Sequence, residues 1–243
     1  MGITKPSGGS GSDVQPSSIN GNIKINGAET KVYNDAEIKA LISSGGLAPY
    51  ISGKKINAIG DSMTQGKNTG TIGWTDYLQT KYNCTVRNYG VNGSTFTDNS
   101  TTFSMSYRWP SMDNDADIII VWGGFNDINQ GKTLGTFTDR VATTYYGALH
   151  LMLDGLQTKY TGKKIFIGTI LDMQHTWATV KSFNTAIREV AEYWGVPVIE
   201  LASVGFGSRN ASVKESMVPD NVHPNNLGNV FIAEVMAKSI NSH

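Results

Sequence analysis

The chain contains a single cysteine, Cys84, in 243 residues, which excludes an intrachain disulfide and any zinc site built on cysteines. Its setting, Cys84-Thr85-Val86, reads as a buried strand position rather than a reactive thiol. Long apolar runs are missing too: no stretch reaches the roughly 18 residues that a membrane-spanning helix needs. Met1-Gly2-Ile3-Thr4-Lys5-Pro6 lacks the apolar core of a secretory leader, which leaves an extracellular or virion-associated location open. Charge is sparse at 16% of residues, with 20 basic side chains against 20 acidic ones and a formal net charge of zero. With no Lys/Arg run, that balance argues against nucleic acid or an anionic membrane as partner. It favours a neutral or weakly charged substrate.

What is present suffices for one α/β domain with a full core and a small appendage: hydrophobic residues make up 39%, and 27 glycines provide many tight turns. Residues 7–12, Ser-Gly-Gly-Ser-Gly-Ser, have the composition of a flexible linker. Ile23-Lys24-Ile25-Asn26-Gly27 reads as an alternating strand entering an Asn-Gly turn. Asn34 and Glu37 sit at the cap and capping-box positions of a short helix that would end at Ser43-Ser44-Gly45-Gly46. Too few apolar residues lie between 13 and 50 for an independent core, so residues 1–50 form an N-terminal extension and 51–243 the main domain.

From Lys54 onward strands and helices alternate. Ile56–Ile59, a segment starting at Thr85-Val86, Asp117–Trp122, Lys164–Ile170 and Val196–Leu201 are the five expected strands. Ile118-Ile119-Ile120-Val121 is unbroken, as in a strand covered on both faces. Helices are expected over Trp74–Tyr82, residues 135–159, about Val180–Trp194 and about Leu227–Ile240. The long one rests on the stripe Phe137, Val141, Tyr145, Leu149, Met152 and Leu156. This alternation predicts an α/β fold with a five-stranded, doubly wound parallel sheet. Sites in such sheets lie at the carboxyl ends of the strands.

Each strand end carries chemistry. The first leads into Gly60-Asp61-Ser62-Met63, where a serine hydroxyl can project beyond the sheet. A plainer reading competes, because Asp and Ser also begin helices simply as caps. A serine nucleophile needs a base. Of the four histidines, His150 reads as a packing or surface residue inside the long helix, and His243 as a frayed terminus. His175 follows the fourth strand. His223 lies in Asp220-Asn221-Val222-His223-Pro224, where the Asp220 carboxylate can fold back to fix the imidazole tautomer. Donors for a developing oxyanion are offered by the glycines of Asn88-Tyr89-Gly90-Val91-Asn92-Gly93-Ser94-Thr95. The Asn126 amide in Gly124-Phe125-Asn126-Asp127 offers another.

These four blocks, in this order over roughly residues 54–240, resemble those of the SGNH hydrolases, also called the GDSL esterase/lipase family. Met63 replaces the commoner Leu of the first block, a swap that keeps volume and apolarity. The resemblance implies a three-layer α/β fold and a serine esterase working through an acyl-enzyme without metal or cofactor. Ser62 would be the nucleophile, His223 the base and Asp220 its orienting carboxylate. Ser62, Gly93 and Asn126 would form the oxyanion hole, with Gly90 as the rival to Gly93.

Substrate is read more loosely. No extended apolar lid segment is evident, which favours a short acyl group. Phe125, Trp109, His175 and Trp177 are the candidate pocket walls. Ser94–Pro110 is rich in Ser, Thr and aromatic residues, a mix suited to sugars as well as to an ordinary surface loop. The leading expectation is O-deacetylation of a carbohydrate. A broad-specificity small-molecule esterase or thioesterase, and an inactive carbohydrate-binding module on the same fold, are the alternatives. The linker and N-terminal extension suit attachment to a larger multidomain or phage tail-type assembly.

Overall fold

The structure, a computed structural model, describes residues 14–16, 22–25, 28–31, 49–66, 71–98, 103–203 and 210–243. The chain divides into two units, Met1–Ala48 and Pro49–His243. In the first, β1 (Val14–Pro16), β2 (Asn22–Ile25) and β3 (Ala28–Lys31) form an antiparallel sheet in that order. The pairing Ile25↔Ala28 leaves Asn26-Gly27 as the two residues between β2 and β3, as an Asn-Gly hairpin requires. The expected linker at 7–12 and helix at 34–44 lie outside the described residues.

The second unit is built on a five-stranded, all-parallel sheet. Its strands are β4 (Lys55–Gly60), β5 (Thr85–Gly90), β6 (Ile118–Trp122), β7 (Lys164–Gly168) and β8 (Val198–Ile199), in the order β5-β4-β6-β7-β8. β6, the unbroken apolar run, is buried at every residue because helices cover both faces. α2 (Trp74–Tyr82) packs on α8 (Asn226–Asn241), and α5 (Tyr145–Lys159) packs on α6 (Trp177–Trp194). Among the described residues no helix is long and apolar enough to cross a membrane.

Register aligns the strand ends that matter. Gly60 pairs with both Gly90 and Trp122, and Trp122 with Gly168, so the loops after β4, β5, β6 and β7 leave the sheet at one level. The chain reverses direction across the sheet between β4 and β6. That is the switch point where α/β sheets open a crevice.

Three expectations need correction. The long helix does not begin at 135: α5 starts at Tyr145, where the Thr144 side chain caps the Gly147 N–H. Upstream, Gly135 has φ +74°, and Asp139 accepts from both the N–H and the hydroxyl of Thr136, which holds that segment in turns. Phe137 still packs edge-to-face on His150, but Val141 is exposed, so its helical spacing was coincidental. The fifth strand is shorter than expected, limited to Val198–Ile199. Cys84 is buried but sits one residue before β5, its thiol donating to the Leu78 carbonyl at 3.4 Å.

Candidate active site

β4 ends at Gly60, and the chain turns at once into the short helix α1 (Ser62–Gln65). Asp61 caps it, one carboxylate oxygen accepting the Met63 N–H at 2.9 Å. α1 folds so tightly over the sheet end that side chains are excluded beneath it. A Cβ on Gly60 would stand 2.3 Å from the Trp122 carbonyl, and one on Gly90 2.2 Å from the Gln65 nitrogen. Ser62 therefore projects from a helix wedged against two strand ends.

His223 arrives from far along the chain. Its loop is fixed between α7 (Ala211–Met217) and α8: Asn225 donates to the carbonyls of Met217 and Ser216, and Asn229 to that of Pro224. Asp220 folds back, one oxygen accepting the N–H groups of Val222 at 2.9 Å and His223 at 2.6 Å. Its other oxygen lies 2.8 Å from His223 Nδ1. A carboxylate only accepts, so Nδ1 carries the proton and Nε2 is left as the acceptor. Nε2 stands 3.1 Å from Ser62 Oγ. This is the nucleophile–base–orienter geometry of a serine hydrolase.

Opposite lies the loop after β5. Gly93 adopts φ +75°, and a Cβ there would meet open space. The N–H groups of Ser62 and Gly93 find no acceptor among the described residues. Gly90, by contrast, donates its N–H to Asn88 Oδ1 at 2.9 Å and is needed for close packing. β6 leads through Gly123-Gly124 into α4 (Phe125–Asn129), which stitches this loop down. Asn126 Nδ2 donates to the Ser94 carbonyl at 3.0 Å, and Gln130 Nε2 to that of Gly93 at 3.1 Å. The Asp127 carboxylate accepts from the N–H groups of Phe96 and Thr97 at 2.8 and 3.0 Å.

The sequence profile of the GDSL-like lipase/acylhydrolase family matches residues 58–230, which include every block just described. The chain belongs to this family. It is a serine ester hydrolase in general class, and its sheet is that of solved structures related to the family. It is similar to a protein from Lactobacillus plantarum, at 27% identity over 80% of this chain and 99% of that one, with a TM-score of 0.74. An alpha/beta hydrolase enzyme from the metagenome of Lake Arreo, Spain, shares the fold at 20% identity, over 79% and 97% of the two chains, with a TM-score of 0.59. So does a protein from Bacteroides ovatus named for its likeness to GDSL lipases, at 18% identity, 79% and 100% coverage and a TM-score of 0.61. No curated protein matches the chain.

The electrostatics of this GDSL-like site are set largely by burial. Asp61 is fully buried, and desolvation pushes its carboxyl up to about 7 despite the Met63 N–H. Desolvation likewise raises Asp127 to about 6, opposed by the Thr97 and Phe96 N–H groups. Asp220 goes the other way. Burial would raise it, but the N–H groups of His223 and Val222 and the imidazole together hold it below the usual carboxylate range.

The expected pocket walls are placed unequally. Phe125, beside Asn126, is buried with the His175 ring tilted against it, the ring centres 4.7 Å apart. Among the described residues the buried His175 Nε2 has no hydrogen-bond partner, and burial lowers the imidazole pKa. Trp177 opens α6 beyond β7 and is 55% exposed. Trp109 lies instead against α5, where a Cβ on Gly155 would come within 2.2 Å of its ring. The structure thus gives Trp109 a helix-packing position. His150 is buried between the Phe137 carbonyl and the Trp194 indole N–H.

Sequence reasoning missed Asp127, Gln130 and Arg108. Asp127 was readable from its place beside Asn126 in the third block. Arg108 has no sequence signal, because its acceptors are main-chain carbonyls and a hydroxyl brought together only by folding.

Proposed function

We propose that this chain hydrolyses short-acyl esters, with an O-acetylated carbohydrate as the substrate and Ser62 as the nucleophile. The observation that carries the reading is the continuous line Asp220–His223–Ser62, with hydrogen-bond distances of 2.8 and 3.1 Å joining residues 161 apart in sequence. His223 Nε2 takes the Ser62 proton as Oγ attacks the ester carbonyl. The imidazolium that forms is stabilised by Asp220. The carbonyl oxygen becomes an oxyanion facing the N–H groups of Ser62 and Gly93 and the Asn126 amide. One Asn126 N–H is held by Ser94, which orients the group and leaves its second N–H for substrate. Each such donor contributes roughly 3–4 kcal/mol of transition-state stabilisation. His223 then returns its proton to the leaving alcohol, and water attacks the acyl-enzyme by the same route.

Support for a sugar as the alcohol comes from the rims of the strand-end loops. Phe103, Tyr107 and Trp177 are exposed there, at 55%, 63% and 55%, and flat aromatic faces stack on the C–H faces of pyranose rings. The test is acetate release from a panel of acetylated glycans by the parent and by Ser62→Ala. Release by the parent alone is the expected result. Equal rates for p-nitrophenyl acetate in parent and Ser62→Ala would remove Ser62 as the nucleophile. Turnover of p-nitrophenyl acetate without release from any glycan would leave a small-molecule esterase, and faster cleavage of C8 than C2 esters would rule out a short-acyl site.

A further inference from the structure

We propose that Arg108 is a positioning residue that fixes the oxyanion loop relative to the nucleophile; the inference rests on the esterase reading for its catalytic consequence. Arg108 closes the short helix α3 (Met105–Arg108), and its guanidinium reaches back under the strand ends. Nη1 donates to the Tyr89 carbonyl at 2.7 Å, and Nη2 to the Gly60 carbonyl at 3.1 Å and to Ser94 Oγ at 2.9 Å. Nε donates to the Phe103 carbonyl at 3.0 Å, the same oxygen that accepts the Ser94 hydroxyl at 2.6 Å. Gly60 is the last residue of β4, one peptide before Asp61-Ser62, and Tyr89 is the penultimate residue of β5. Ser94 follows Gly93, and its carbonyl holds Asn126.

One planar group therefore ties together the strand that presents Ser62, the strand before Gly93 and the residue that orients Asn126. None of these acceptors carries a charge, so toward them the guanidinium acts as a rigid fork; its charge also interacts electrostatically with the buried Asp61. The Gly60 carbonyl also accepts the Val91 N–H at 3.1 Å, so Arg108 is a second donor to it and couples it to the Tyr89 carbonyl at the neighbouring strand end. Lysine presents one compact ammonium and cannot reproduce the fork. Loss of the fork should let the Gly93–Ser94 segment shift against Ser62. A displacement of about 1 Å at a reacting centre costs on the order of 10²-fold in rate.

The test compares parent, Arg108→Lys and Arg108→Ala by kcat and KM on p-nitrophenyl acetate, by Tm, and by hydrogen exchange of the 91–98 segment. Arg108→Lys is expected to fold and to lose about 10²-fold in kcat with KM little changed, since the interaction is felt in the transition state. Exchange in 91–98 should quicken. Added guanidinium ion should restore part of the kcat of Arg108→Ala but none of that of Arg108→Lys, whose side chain fills the space. Unchanged kcat per folded molecule, with only a lower Tm, would make Arg108 a stabilising residue and overturn the proposal. If the parent cleaves no ester at all, the esterase reading fails by itself. Exchange then decides: faster exchange in Arg108→Lys upholds the clamp, and unchanged exchange overturns it.

Discussion

Asp61 and Asp127 each stand next to a site residue, and both are carboxyls that burial keeps from ionising readily. Asp61 is the sharper case, raised from 3.8 to about 7 chiefly by desolvation. Between those values the folded chain holds a proton that the unfolded chain has released. Stability from this group therefore falls as pH rises from about 4 to about 7, by up to a few kcal/mol. Asp61→Asn keeps an oxygen to cap the Met63 N–H and carries no charge. It is expected to remove that fall, so that its Tm gains on the parent's as pH rises. Parallel Tm profiles across the range would show that Asp61 ionises without penalty. Asp127→Asn is a different change, because both Asp127 oxygens accept main-chain N–H groups and an amide offers only one acceptor. It should cost roughly 1–3 kcal/mol and lower kcat by loosening the loop that Gly93 belongs to. Asp127 was legible beside Asn126 in the sequence; its burial was not, since burial depends on what packs over it.

At the level of elements, α1 is the piece that converts a sheet end into a site. Its placement depends on two glycines with no side chain to displace it. Gly90→Ala would put a Cβ 2.2 Å from the Gln65 nitrogen and 2.6 Å from its Cα, both backbone atoms that cannot rotate away. The expected outcome is a loss of about 2 kcal/mol or more and a fall in kcat as Ser62 moves. Gly93→Ala meets open space and pays only for a left-handed conformation, about 1–2 kcal/mol. Urea denaturation of the two variants checks the order, and a Gly93 variant less stable than the Gly90 variant would contradict the wedge. Elements also separate what periodicity reveals from what it conceals. Helix α2 and the buried strand β6 were readable because their patterns run unbroken within one element. The start of α5 was not, because the Asp139–Thr136 turn and the Thr144 cap overrode an apolar spacing that extended by chance through Val141.

Across the whole molecule, the second unit holds the five-stranded sheet, its covering helices, the apolar core and every residue of the proposed site. A chain beginning at Pro49 is therefore expected to fold and to keep the kcat of the full chain on p-nitrophenyl acetate. A matched comparison of kcat and thermal unfolding checks this. A truncated chain that folds but loses activity would show that residues 1–48 take part in turnover.

The sequence by itself determined the parallel α/β architecture, because alternation of buried strands and amphipathic helices is a local pattern. It also determined the chemistry available at each strand end, because serine, histidine, aspartate and asparagine carry that chemistry wherever they lie. Only the tertiary structure chose Gly93 over Gly90 as the open N–H, moved Trp109 onto α5 and brought Arg108 beneath the strand ends. Those outcomes depend on distances between residues remote in sequence, and such distances are fixed by packing and register.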